Sequence, residues 1–250
     1  IGNNDSTLGG GLSVYIVTAL LKIQNIKFIS NSAMEEDGGA FHLNDIAVCL
    51  ILNSSFESNF AKHEGGAARV ITVRRLIVVN TKFIHNVADY GGAVHLYRIK
   101  VLICDGSQFF RNKGTRGSAC LYLSKVQNVI LANSQISENH ATLGNGAIYS
   151  RFCIRFLTLY CTFLKSQNMG GTGSLAIYDT NKVITVGSRL LGNFAKNGAG
   201  LYCLRCKNIF IYKCFLKKNT AAHLGGGIHV EENKNTIISK THLIKNKAIE

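Results

Sequence analysis

Large apolar residues return along this chain at a nearly constant interval, and each is followed three positions later by the same polar residue. The apolar column reads Ile1, Phe28, Phe56, Phe83, Phe109, Ile136, Phe163, Leu190, Leu216 and Leu243. The polar column reads Asn4, Asn31, Asn59, Asn86, Asn112, Asn139, Ser166, Asn193, Asn219 and Asn246, so serine replaces asparagine once. Successive copies lie 26 to 28 residues apart. A few residues after each Asn comes a glycine phrase, clean in Gly38-Gly39-Ala40, Gly65-Gly66-Ala67 and Gly91-Gly92-Ala93 and looser in Gly117-Ser118-Ala119. A strand-like run such as "AVCLIL", "VLICD" or "VITVG" then leads into the next copy. Each period therefore holds three short β-branched or aromatic runs divided by Gly and Asn turns, and no segment keeps a helical period with caps.

A fixed period of this length is the mark of a repeat architecture. The runs are all strands, which predicts an all-β parallel β-helix of about nine coils, roughly 27 residues and three short strands each. Coils stacked at the interstrand distance of about 4.8 Å give a solenoid of about 43 Å. Residues 1–250 then form one domain, read as a segment of a longer chain or of an end-to-end polymer. Stacking places Phe28, Phe56, Phe83 and Phe109 above one another inside the coil, at a spacing suited to aromatic contact. It turns the Asn column into a ladder of amides that donate and accept along the axis. Asn25, Asn53, Asn80 and Asn133, three residues before the apolar column, predict a second, partial ladder. The chain has no proline, as expected where internal strands cannot spare an N–H.

The Phe28–Asn31 element with Gly38–Phe41, and Phe83–Asn86 with Gly91–Val94, resemble the repeat of chlamydial polymorphic outer-membrane proteins. The resemblance runs along the whole chain, with degenerate copies from Phe163 onward. It implies a right-handed β-helix of the pectin-lyase type and a non-catalytic, extracellular role as a surface adhesin.

Net charge is +14, which favours anionic partners, anionic glycans among them. The cations are scattered and no block of five occurs, so no specific nucleic-acid site is read. The longest apolar run, Ile46–Leu52, is too short to span a bilayer, and no transmembrane segment is expected.

Several side chains invite a chemical reading. Two residues beyond the small residue of the glycine phrase, strand alternation points outward. Counting from the phrases gives His42, Arg69, His95, Leu121, Tyr149, Ile177, Tyr202 and His229. Its Tyr, His and Arg members form a stripe that sugar rings could stack on, or an ordinary strand surface. His42 and His95 lie two coils apart, about 9.6 Å by the coil spacing. Zinc requires each nitrogen within about 2.1 Å, so no metal site is read, and no cofactor is implied. Glu36, Glu64 and Asp89 fall at near-matching offsets in three turns, a candidate carboxylate pair for glycoside hydrolysis or calcium, or a solvated acidic turn. Glu35 and Asp37 of that turn add charge but no geometry. Arg98-Ile99-Lys100 matches a tripeptide of pectin-degrading hydrolases without its acidic partners, and reads as strand surface.

Of eight cysteines, Cys153 and Cys206 share a column, as do Cys161 and Cys214, but each pair is two coils apart and beyond the roughly 7 Å limit for bridging. Cys49, Cys104 and Cys120 have no partner at a like position, and a local Cys203–Cys206 bridge is the one candidate. Asn4 and Asn53 head glycosylation sequons; Asn4 is the better acceptor because Asn53 is assigned to a buried ladder. The reading that follows is a non-enzymatic structural or adhesive solenoid of an extracellular surface layer or fibre. A carbohydrate-active enzyme of the pectin-lyase type and a glycan-binding module are the alternatives.

Overall fold

The computed structural model describes the backbone of Asp5–Ser6 and residues 9–250; Ile1 and the candidate acceptor Asn4 lie outside the described residues. Among these residues there is no helix, and three sheets of 14, 10 and 9 strands carry the chain. Every pairing is parallel and joins a residue to its counterpart one period away, as Phe28↔Phe56↔Phe83↔Phe109 illustrates. The molecule is a parallel β-solenoid of about nine coils.

The nine-strand sheet carries the apolar column at the centre of three-residue strands such as Lys27–Ile29, Ser55–Glu57 and Lys82–Ile84. The central side chain points inward, and Phe28, Phe56, Phe83 and Phe109 are all buried. Their ring centroids stand 4.8, 4.9 and 4.8 Å apart with planes within 5° of parallel. The ring spacing is the strand spacing, so backbone hydrogen bonding and ring packing impose the same register. Phe41, from the long sheet, presents its edge to Phe28 and Phe56 at 5.8 and 5.1 Å.

Three residues on, the amides form the predicted ladder. Asn31 Nδ2 donates to Asn59 Oδ1 at 2.9 Å, and the relay continues through Asn86 and Asn112 to Asn139. Each Oδ1 also accepts a backbone N–H from the preceding coil, such as Asn59 N to Asn86 Oδ1 at 3.0 Å. The second Nδ2 proton goes to the carbonyl of the apolar column, as in Asn86 Nδ2 to Phe56 O at 2.9 Å. A buried amide in this column thus has all four hydrogen-bonding positions filled. Ser166 interrupts the relay, which resumes from Asn193 to Asn219 and Asn246.

The second asparagine ladder is not formed. Asn25, Asn53, Asn80 and Asn133 are exposed corner residues with φ of 57°, 46°, 48° and 47°. Asparagine suits this left-handed region because its short polar side chain tolerates it. The buried second ladder lies one residue later, in Ser54, Thr81, Ser107 and Ser134. There a backbone N–H meets the next hydroxyl, as in Thr81 N to Ser107 Oγ at 3.2 Å and Ser107 N to Ser134 Oγ at 3.1 Å. Asn53 is therefore an exposed sequon residue, contrary to the buried placement expected of it.

The 14-strand sheet begins with single strands, Leu12–Gln24, Phe41–Leu52, Ala68–Val79 and Val94–Asp105. From Leu121 onward the strand is divided in two, as in Leu121–Ser124 and Asn128–Ala132. A residue at positive φ marks the bend in each coil, among them Asp45, Thr72, Arg98 and Lys125. The first half of this sheet, just after the glycine phrase, carries the residues of the candidate stripe.

Candidate functional site: a stacked ring and charge stripe

Strand register defines the stripe as Ser13, His42, Arg69, His95, Tyr122, Tyr149, Ala176, Tyr202 and His229. Counting from the degenerate glycine phrases misplaces two members by one residue. Leu121 and Ile177 point into the core, 3 % and 0 % exposed. Tyr122 takes the fifth position. Where the column offers only Ala176 or Ser13, the tyrosine two residues later fills the space: Tyr178 lies 5.1 and 5.5 Å from Tyr149 and Tyr202, and Tyr15 stacks on His42 at 5.5 Å. The remaining neighbours, His95–Tyr122, Tyr122–Tyr149 and Tyr202–His229, stand 4.7, 4.8 and 5.3 Å apart.

The stripe lies outside the solenoid core, yet it is not an open surface. His42 and His95 are each 4 % exposed, Tyr202 7 % and Tyr149 9 %. The turn between the Asn column and the glycine phrase folds against it, and glycine makes this approach feasible. Gly65 has φ +67°, where a Cβ would collide with the Ala68 carbonyl; a Cβ on Gly225 would stand 2.7 Å from that of His229. From His95 to His229 each ring meets the next along the stripe, whereas Arg69 separates His95 from His42, and Tyr15 stays 49 % exposed.

The same turn brings carboxylates to Arg69. Glu64 Oε2 lies 2.5 Å from Arg69 Nε and 3.0 Å from His95 Nδ1, and Asp37 Oδ2 lies 3.5 Å from Arg69 Nε. Glu64 Oε2 thus sits between the Arg69 guanidinium and the His95 ring, both of which favour its charged form. Register corrects the carboxylate alignment: Gly38 N donates to Glu64 O, and Glu64 N donates to Asp37 Oδ1 at 3.0 Å. Asp37, not Glu36, is the partner of Glu64, and it does have geometry. Asp89 serves the next coil, beside Thr115 and 3.4 Å from Arg116 Nε.

Burial and the neighbouring Glu64 charge push the Asp37 carboxyl up. Burial also pushes Glu64 up, but His95 and Arg69 outweigh it and hold that carboxyl below its ordinary value. Burial lowers His95 despite Glu64, and burial with the Arg69 charge lowers His42. The cluster is thus two carboxylates, one guanidinium and two imidazoles that resist protonation, closed beneath a turn. Arg69 and His95 side chains are 11 % and 5 % exposed.

A related arrangement lies farther along, where Asp179 receives Arg151 Nε at 2.8 Å and Arg205 Nε at 2.7 Å across three coils. Arg98 occupies a bend with its guanidinium 5.0 Å from the Tyr97 ring, while Ile99 is fully buried. Arg98 and Lys100 border a groove of about 370 Å³ with Arg74 and Asp45. No group of three His, Cys, Asp or Glu suited to a metal ion occurs among the described residues.

All eight cysteines are buried free thiols, Cys203 and Cys206 included, so the local bridge is not formed. Burial pushes Cys49 and Cys104 up to about 12. Cys161 takes a hydroxyl's place in the second ladder, its N–H meeting Ser188 Oγ at 3.2 Å.

No family model matches this chain, and no solved structure matches it. Among curated proteins it is similar to metabotropic glutamate receptor-like protein R of Dictyostelium discoideum, 27 % identical over 192 residues. That stretch covers 76 % of this chain but 12 % of the relative. The chain spans about an eighth of the relative's length.

Proposed function

We propose that this chain is a non-enzymatic structural or adhesive β-solenoid, a rigid segment of an extracellular surface layer or fibre. One observation carries the reading: the side chains best able to act on a ligand are engaged between coils. Glu64 holds Arg69 and His95, Asp179 holds Arg151 and Arg205, and the stripe rings cover one another. The relative is named as receptor-like, and a receptor or surface setting is part of the proposal. End-to-end association with further copies, or continuation in a longer chain, is part of the same proposal.

The test is electron microscopy of the native material combined with labelling of intact cells by a membrane-impermeant amine reagent. Filaments or surface spikes that take the label are expected. Dispersed short monomers shielded from the label would end the proposal.

One observation favours a second reading, an enzyme of the pectin-lyase type: Asp37 and Glu64 are neighbouring carboxyls shifted in opposite directions, a pattern used for acid and base roles. Turnover of polygalacturonate that disappears in Glu64→Gln would establish it; absence of turnover by the wild type removes it.

A further inference from the structure

The outer face of the nine-strand sheet changes character in its last coils. Residues 182–250 hold twelve of the Lys and Arg residues and three of the Asp and Glu residues, a net of +9 out of +14; of these cations Arg189 and Lys217 lie in the nine-strand sheet and Lys213, Lys218, Lys240 and Lys245 at its corners. Those three acids lie away from this face: Glu231 contacts Tyr202 and His229, Glu232 occupies the bend in the long sheet, and Glu250 pairs with His223.

Leu164, Leu191 and Phe215 form the apolar floor of a groove of about 420 Å³ on this face. Lys165, Arg189, Lys217 and Lys218 border it, with no carboxylate in its lining. Gly192 lies in the lining at φ +61°, the left-handed region that favours glycine. Among the described residues, none of the four cations is within ion-pairing distance of a carboxylate.

The stacking order is a second, independent sign. In this same corner column, opposite charges stand one coil apart at Arg111 Nε and Glu138 Oε2, 2.9 Å. Three coils beyond Glu138, that column sets Lys218 directly beside Lys245, because Lys218 N donates to Ile244 O. The opposite corner sets Lys213 beside Lys240, both over the Tyr212 ring at 5.3 and 5.6 Å. Like charges on neighbouring strands repel at this spacing. A bound polyanion removes that cost, and a parallel solenoid presents its cations at the coil repeat of about 4.8 Å.

We infer that this groove binds an acidic polysaccharide, whose carboxylate or sulfate groups meet the lysine and arginine border while the C–H faces of its rings lie on Leu164, Leu191 and Phe215. A groove of this size falls in the range of small-ligand sites. Its floor lacks the run of exposed aromatics on which nucleic-acid bases stack, and its apolar residues Leu164, Leu191 and Phe215 suit sugar-ring C–H faces. This inference goes beyond the structural reading and does not depend on it.

The experiment is titration calorimetry of the full chain with polygalacturonate and with chondroitin sulfate at physiological salt. Neutral dextran, single-stranded DNA and phosphatidylserine vesicles are run alongside. The triple variant Lys165→Gln/Arg189→Gln/Lys218→Gln is compared with Arg74→Gln/Arg98→Gln/Lys100→Gln, which removes equal charge from the other basic groove. Loss of about tenfold in affinity for at least one acidic glycan is expected in the first variant and less than about twofold in the second. Lys165→Arg/Lys218→Arg in an otherwise native chain, which keeps the charge, is expected to retain the native affinity within about twofold. Circular dichroism checks that both triple variants remain folded; if the first does not, the single variants Lys165→Gln and Lys218→Gln carry the comparison. Equal losses in the two variants would show a diffuse charge effect and overturn the inference. So would equal binding of dextran, tighter binding of DNA or vesicles, or no binding of either acidic glycan.

Discussion

Asn59 Nδ2 donates to Asn86 Oδ1 at 2.9 Å, between side chains that are both almost entirely buried. Asn86 Oδ1 also receives the Asn59 backbone N–H at 3.0 Å. Its own amide serves Phe56 O and Asn112 Oδ1. Asn86→Ala would leave two donors of Asn59 facing no acceptor, at about 1–3 kcal/mol for each buried unsatisfied group. The expected loss is about 3 kcal/mol, read from urea midpoints with an unchanged slope. A loss below about 1 kcal/mol would show that the ladder contributes little to stability.

The converse change is available at the break in the ladder. Ser166 Oγ has no hydrogen-bond partner, and neither does the amide of Asn168 two residues later. Ser166 N already donates to Asn193 Oδ1 at 3.0 Å, so the backbone is in ladder register. Ser166→Asn should join the two halves of the relay and stabilise the protein by about 1 kcal/mol. Differential scanning calorimetry reads this as a raised melting temperature; a fall would mean that this coil lacks space for the amide.

The fold was legible because one periodicity carried it. Phe56 and Phe83 stand where a count of 27 residues puts them, and they stack at 4.9 Å. The stripe was legible only in part. Its position was counted from glycine phrases, which vary in length, whereas strand pairing sets it. Hence counting selects Leu121 where pairing sets Tyr122, and Glu36 where it sets Asp37. Alternation marks the direction of a side chain but not what folds over it, so the turn that buries His42 and His95 left no sign in the strand pattern. Tyr15 and Tyr178 lie outside the counted column because they reach the stripe from two residues away. The clearest available signal was the small residue, Ser13 or Ala176, beside a spare tyrosine.

The buried imidazoles set a pH dependence. Burial lowers His42 and His95 from an ordinary value of 6.5. Below that value the unfolded chain takes up protons that the folded chain refuses, so stability falls with pH until the lowered folded-state values are reached. Glu64, held below its ordinary value, adds a loss only at more acidic pH, as its folded carboxyl is titrated. Asp37 acts in the opposite sense, because its raised carboxyl gains a proton more readily when folded. The urea midpoint of the wild type should therefore drop between about pH 7 and pH 5. In His42→Phe/His95→Phe, which keeps planar rings in the stripe, that drop should be smaller. An identical slope in both proteins would place the proton uptake elsewhere.

Tyr178 tests whether the stripe is a structural spine. Its ring bridges Tyr149 and Tyr202 at a coil where the column itself offers only Ala176. Its hydroxyl lies 3.0 Å from that of Thr172. Tyr178→Ala removes both ring contacts and leaves a gap that no neighbour fills, at about 2 kcal/mol for a half-buried ring. Tyr178→Phe keeps the contacts and should lose less than about 1 kcal/mol, the worth of one hydroxyl hydrogen bond. The chain has no tryptophan, so its near-ultraviolet circular dichroism comes from tyrosine and phenylalanine. Tyr178→Ala should reduce the tyrosine band by more than one residue's share, because it separates Tyr149 from Tyr202. A proportional reduction with unchanged stability would mean that these rings are neighbours without being coupled, and that the rod is held by its core and amide ladder alone.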